Sequence, residues 1–186
     1  MDPVRTKPRS FRRIAVFCGA SSGSDPDIIT AAQEMGRSIA HRGIGIVFGG
    51  GHVGLMGAVA DAALEAGGEV VGVIPAFMVE KELAHERLSE LITVRDMHER
   101  KMRMHELSDA VVALPGGFGT MDELYELLTW RQLGIHDKPI GLLNVKGFYD
   151  PLLAQAERMK RDGFLHGPTR IITAADPKTL LDALGS

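Results

Sequence analysis

The feature that most constrains this chain is a regular alternation of short apolar runs with longer amphipathic segments. The runs are Ile14–Cys18, Ile44–Phe48, Val70–Ile74, Leu91–Val94, Ala110–Leu114, Ile140–Leu143 and Ile171–Thr173. Each is too short for a buried helix and too uniformly apolar for a strand with one wet face. Runs of that kind are strands covered on both sides, as in a parallel sheet. Helical patterns separate them. One opens at Asp25-Pro26, with Asp25 as N-cap and Pro26 in the first turn, and runs to about His41. Others cover Gly54–Ala66, Met97–Ser108, Thr120–Leu133, Tyr149–Arg161 and Pro177–Leu184. Right-handed crossovers then leave an α/β fold as the natural solution: a doubly wound, Rossmann-like parallel sheet of about seven strands with helices on both faces.

At 186 residues there is enough chain for one domain with a sizeable core, expected over residues 12–186. Residues 1–11 read as a mobile basic tail, and the charges about it (Arg5, Lys7, Arg9, Arg12, Arg13) have no apolar stretch behind them that would make a secretory signal. The net charge of −3 gives no reason to expect a nucleic-acid partner. No segment approaches the ~20 apolar residues of a membrane span, so no membrane partner is expected. The single cysteine, Cys18, excludes an internal disulfide and fits a reducing, cytoplasmic location. Because it ends an apolar strand, it reads as a core residue and not as a nucleophile.

Three glycine-rich segments, 19–23, 49–54 and 115–119, each follow a strand. In a doubly wound sheet they lie on one edge, beyond the C-terminal strand ends where ligands bind. The last reads Pro115-Gly116-Gly117-Phe118-Gly119-Thr120-Met121-Asp122-Glu123. Its glycines let a backbone approach a ligand, and the helix start near Thr120 adds unpaired N–H groups and a positive dipole end. That is an anion cradle, with the carboxylate Glu123 one turn into the helix. Thr120-x-x-Glu123 also satisfies a capping box, in which Glu123 would merely cap the helix. Asp122 in the same turn could answer only to the dipole. Both alternatives stay open at this level.

The helix Met97–Ser108 supplies a second element. At about 100° per residue, Met97, Met104 and Leu107 share a face with Arg100 and Lys101. Two cations on an apolar face call for a bound phosphate or a buried carboxylate, unless they snorkel to the surface with Arg100 paired to Asp96. The small residues Gly54, Gly57, Ala58 and Ala62 favour close helix approach. With Met102 on an outward face, they point to a homodimer or larger assembly.

The familiar nucleotide and metal motifs do not hold. Gly49-Gly50-Gly51-His52-Val53-Gly54 fits G-x-G-x-x-G, yet the next strand ends Val73-Ile74-Pro75, with no acid for a ribose. No Walker A loop, His-Glu-x-x-His pair or Gly-x-Ser-x-Gly elbow occurs, so neither a metal nor an organic cofactor is expected.

The segment from Pro115 to Glu123 resembles the P-G-G-x-G-T-x-x-E motif of the LOG (Lonely Guy) family, the cytokinin-activating phosphoribohydrolases. Met97–Lys101 is similar to its M-H-x-R-K segment, and Gly49–Gly57 to its other glycine motif. Thr129–Pro139 and Gly141–Val145 are similar to family segments as well. The resemblance runs from about Ile14 to Thr173. It implies hydrolysis of the N-glycosidic bond of N6-modified adenosine 5′-monophosphates, giving free base and ribose 5-phosphate, with a small-molecule nucleotide as partner. It places Arg100 and Glu123 on the catalytic pair and implies substrate contacts at Lys101, Gly117, Phe118, Gly119, Thr120 and Thr129, with Glu82 as a further acidic contact. Ser21, Gly50, Gly51, Met97, Gly116, Met121 and Asp122 complete the expected substrate-binding set. A general AMP nucleosidase and a non-catalytic nucleotide carrier or sensor remain the competing readings.

Overall fold

The computed structural model describes residues 10–79, 83–166 and 170–186. Its strands are β1 (Arg13–Phe17), β2 (Gly45–Phe48), β3 (Val70–Pro75), β4 (Glu90–Val94), β5 (Ala110–Ala113), β6 (Ile140–Leu143) and β7 (Ile172–Ala174). The helices are α1 (Pro26–His41), α2 (Gly54–Glu65), α3 (Ala76–Val79), α4 (Met97–Glu106), α5 (Phe118–Gln132), α6 (Asp150–Arg161) and α7 (Pro177–Leu184), with a 3₁₀ turn at Val145–Gly147. The strands form one parallel sheet in the order β4-β3-β2-β1-β5-β6-β7. Every expected strand is present. Only the four-residue α3 and the 3₁₀ turn have no counterpart in the sequence reading, because neither is long enough to show a period.

Alternation along the strands sorts the core into two layers. Ile14, Val16, Ile46, Phe48 and Val112 face α1, α2 and α7, while Ala15, Phe17, Val47, Val73 and Val111 face α4, α5 and α6. Burial of both faces explains why the strands read as unbroken apolar runs. Gly36 of α1 lies so close to α2 that a Cβ there would stand 2.3 Å from the Val59 carbonyl oxygen. The small residues of α2 therefore serve packing inside this chain, with Leu55, Gly57, Val59, Ala60, Ala62 and Ala63 all buried.

Strand order reverses between β1 and β5. The chain runs outward from β1 to β4 on one side, then returns to lay β5, β6 and β7 on the other. The connections leaving β1 and β5 diverge to opposite faces, into α1 and α5, and a crevice opens between them. Of the expected tail, residues 1–9 lie outside the described residues. Phe11 packs against the α1/α2/α7 layer, so the ordered domain takes in at least that residue.

Candidate active site

The crevice is a cleft of about 560 Å³ over the C-terminal ends of β2, β1 and β5. All three glycine-rich segments contribute to its wall, through Gly19 and Gly23, Gly49, and Gly116, Gly117 and Gly119. The ends of β1 and β5 are stitched together by Gly19 N–H donating to the Pro115 carbonyl at 3.1 Å. Gly116 must lack a side chain, since a Cβ would come within 2.1 Å of Thr120 Oγ1 and 2.9 Å of Gly19 N. Around Gly117 and Gly119 an added Cβ would meet nothing within 4 Å, so the backbone there is open to a ligand.

Helix α5 begins at Phe118 with Gly117 as its N-cap, and no side chain bonds the cap. Thr120 is thus the third helical residue, and the capping-box reading of Thr120 and Glu123 is overturned. Glycine at the N-cap leaves the first-turn N–H groups without a side-chain acceptor and their dipole directed at the cleft. Thr120 itself is buried and lines the cleft.

Opposite the cradle, α4 presents Arg100. Asp96 caps this helix by accepting from His98 N and Glu99 N at 2.9 Å each, so it is not the partner of Arg100. The Arg100 side chain is buried. Its Nε donates to the Val73 carbonyl at 3.0 Å and Nη2 to the Gly49 carbonyl at 2.9 Å. Nη1 lies 3.7 Å from Glu123 Oε1. Two backbone carbonyls, one inside β3 and one just after β2, thus aim a fixed guanidinium at a carboxylate, supplying the compensation that a buried cation needs. Glu123 is only 9% exposed. Burial pushes its carboxyl up to about 7, with Arg100 pulling the other way. A carboxyl held near neutrality against a fixed cation, facing an anion cradle, can stabilise positive charge and exchange a proton with water.

Of the expected contacts, Ser21, Gly116, Gly117, Gly119 and Thr120 meet Arg100 and Glu123 around this cleft. Lys101 does not join them. Its Nζ bridges Asp122 Oδ2 at 3.0 Å and Glu126 Oε2 at 3.2 Å, fastening α4 to α5. Asp122 is spent in that bridge, and Met121 packs into the α4/α5/α6 layer. Met97 touches Arg100 Nη1 through its sulfur at 3.8 Å and lies outside the cleft lining. Gly50 and Gly51 receive a loop instead of lining the cleft: His85 N donates to Gly50 O at 2.8 Å, and Gly51 forms an antiparallel bridge to Ala84. Phe118 is 96% exposed, and Thr129 faces outward with its hydroxyl donating to Tyr125 O at 2.7 Å. Glu82 lies outside the described residues.

Sequence reasoning missed Met56, Met78 and Phe148, all of which line the cleft. Cys18 lies in the cleft wall but is buried, and burial drives its thiol far above the ordinary value, so it is held neutral as a core residue. Among the described residues no cluster of three or more His, Cys, Asp or Glu side chains could hold a metal ion.

The family model described as "Possible lysine decarboxylase" matches residues 56–184. The cytokinin riboside 5′-monophosphate phosphoribohydrolase LOG5 of Arabidopsis thaliana is 46% identical over 99% of this chain and 80% of its own length. The probable phosphoribohydrolases LOGL2 and LOGL5 of Oryza sativa subsp. japonica are 47% and 50% identical, over 94% and 90% of this chain and 72% and 68% of theirs. Among solved structures, the molybdenum cofactor binding protein of Rippkaea orientalis superposes with a TM-score of 0.70 at 23% identity, covering 96% of each chain. The molybdenum cofactor carrier protein of Chlamydomonas reinhardtii gives 0.66 at 24%, covering 96% of this chain and 95% of that one. At that identity these two speak to the fold alone.

Proposed function

The chain belongs to the LOG family of cytokinin riboside 5′-monophosphate phosphoribohydrolases, and we propose from this and from its cleft that it hydrolyses the N-glycosidic bond of N6-modified adenosine 5′-monophosphates. The products are the free base and ribose 5-phosphate. The observation that carries the proposal is the buried Arg100–Glu123 pair facing an uncapped helix start across one cleft. A carrier needs the cradle alone; an isolated buried carboxylate beside an anion site would weaken its grip.

The roles follow from the geometry. The 5′-phosphate sits on Gly116–Thr120, taking the first-turn N–H groups of α5. This fixes the ribose over Glu123. As the bond to the base lengthens, positive charge develops on the sugar, and the Glu123 carboxylate stabilises it. The attacking water gives its hydroxyl to C1′ of the ribose and a proton to Glu123, and the departing base takes up one proton from solvent as its bond to C1′ breaks, so one water is consumed for each free base and ribose 5-phosphate released. Arg100 holds and polarises Glu123. With the phosphate at the end of β5, the base extends toward the ends of β2 and β3. There Met56 and Met78 offer a deformable apolar wall suited to an N6 substituent. A lysine decarboxylase acting through a Schiff base finds no support, because no lysine is among the described residues that line the cleft.

We assign a homodimer or larger assembly to the outward faces of α4 and α5, where Met102, Phe118, Tyr125 and Leu133 are exposed. No helix among the described residues is long and apolar enough to cross a membrane. The buried free cysteine supports a cytoplasmic enzyme.

Chromatographic product analysis tests the activity. AMP, N6-isopentenyl-AMP and the unphosphorylated riboside are offered in parallel. Release of base and ribose 5-phosphate from the modified monophosphate, with none from the riboside, is expected. Failure to release base from either monophosphate overturns the proposal.

A further inference from the structure

Leu114 leads directly into the glycine segment Pro115–Gly119. The pairing of β5 with β6 ends at Ala113 and Leu142, so Leu114 lies one step beyond the ladder. Its N–H still reaches Phe17 O at 2.8 Å. Its carbonyl is buried, and Pro115 follows with no N–H to offer. The partner comes from the turn that follows β6: the Tyr149 hydroxyl donates to Leu114 O at 2.6 Å. Tyr149 is only 1% exposed, which makes its hydroxyl an interior bond and not a surface one.

Tyr149 is itself held. Its N–H donates to Asn144 Oδ1 at 2.7 Å, and Asn144 Nδ2 donates to Asp150 Oδ1 at 2.8 Å. The ring of Phe148, which lines the cleft, stands edge-on to Tyr149 with centroids 5.1 Å apart. The turn after β6 is therefore built around Asn144 and Tyr149, and it grips the backbone that leads into Pro115–Gly119. From there Gly19 N–H, donating to Pro115 O, ties the cradle to the end of β1.

We propose that Tyr149 is a positioning residue for the reaction, its hydroxyl holding the Leu114 carbonyl so that Gly116–Thr120 presents its N–H groups to the 5′-phosphate. This rests on the phosphoribohydrolase reading. Tyr149→Phe is a clean probe, because the ring, its packing and its contact with Phe148 remain and only the hydroxyl goes. A buried carbonyl without its partner relaxes toward solvent, and the loop that follows shifts with it.

The experiment measures ribose 5-phosphate affinity by calorimetry, and kcat and KM on N6-isopentenyl-AMP, for wild type, Tyr149→Phe, Asn144→Ala and Leu184→Ala. The last is a buried α7 residue remote from the cleft and controls for general destabilisation. Tyr149→Phe should weaken ribose 5-phosphate binding roughly fivefold, the size of one net hydrogen bond, with KM rising in step and kcat little changed. Asn144→Ala should move the same affinity in the same direction, and Leu184→Ala should lower the melting temperature without moving it. Wild-type affinity in a destabilised Tyr149→Phe protein overturns this inference alone. A wild-type enzyme that neither binds ribose 5-phosphate nor releases base overturns the functional reading and this inference together.

Discussion

The Nη2 atom of Arg100 fills the space that a Cβ on residue 49 would take, 1.8 Å from that position, and donates to the Gly49 carbonyl at 2.9 Å. Gly49 is thus a glycine for the sake of a side chain one helix away. Unlike Gly50, whose φ is +75°, it has no left-handed backbone to accommodate. The first glycine of the 49–54 segment seats the guanidinium, and the next two seat a loop.

Gly49→Ala should accordingly displace Arg100 and leave the fold intact. A catalytic group moved by about 1 Å typically costs on the order of 10²-fold in rate. Saturating base-release assays should show that loss in kcat, with a far-ultraviolet spectrum like that of wild type. Wild-type turnover would mean the guanidinium's position is not used.

The cradle makes the reverse forecast. Methyl groups at Gly117 or Gly119 meet no atom of the protein within 4 Å, so Gly117→Ala and Gly119→Ala should melt as wild type does. They place a carbon where the proposed substrate's phosphate oxygens would approach N–H groups, and KM should rise by roughly tenfold as charge-assisted bonds lengthen. Unchanged KM in both variants would move the phosphate elsewhere in the cleft.

Burial raises Glu123 from 4.5 to about 7. The folded-state value exceeds the unfolded one, so the folded protein binds the extra proton between them. The stability this contributes is full below about pH 4.5 and is lost as pH rises through about 7. Relative to Glu123→Gln, which cannot ionise, the wild-type melting temperature should fall between about pH 5 and about pH 8. The activity limb has the opposite sense. The proposed reaction needs the carboxylate, so kcat/KM should climb through pH of about 7, reporting the free enzyme. A difference in melting temperature that is flat with pH would place the Glu123 transition outside this window.

Light scattering should give at least twice the 20.1 kDa chain mass. Tyr125→Glu, on the outward face of α5 and 43% exposed, should shift it toward one chain without unfolding. A wild-type mass of one chain with full activity would remove the assembly from the account.

The strands were legible because burial on both faces leaves nothing polar in a parallel strand, as in Ala110–Leu114 or Val70–Ile74. The helix starts were legible where a side chain caps, as Asp25 does by accepting from Asp27 N. Glycine has no side chain to advertise a cap. The start of α5 at Gly117 was therefore hidden, and Thr120 looked like the cap. Arg100 and Lys101 are separated by about 100° on α4, too little for periodicity to tell which enters the cleft and which bridges to Asp122 and Glu126. Gly50 and Gly51 serve contacts with Ala84 and His85, more than thirty positions away, which no local pattern encodes. Met78 sits on a helix of four residues, too short to show a face.

In the proposed function Glu123 carries the chemistry and not the architecture of α5. The direct measurement is Glu123→Gln assayed for base released from N6-isopentenyl-AMP, with ribose 5-phosphate affinity determined on the same preparation. The amide keeps the shape and loses the charge. Turnover should fall by about 10²–10³ or more while ribose 5-phosphate binds with near wild-type affinity. Near wild-type release of base by Glu123→Gln would contradict the account.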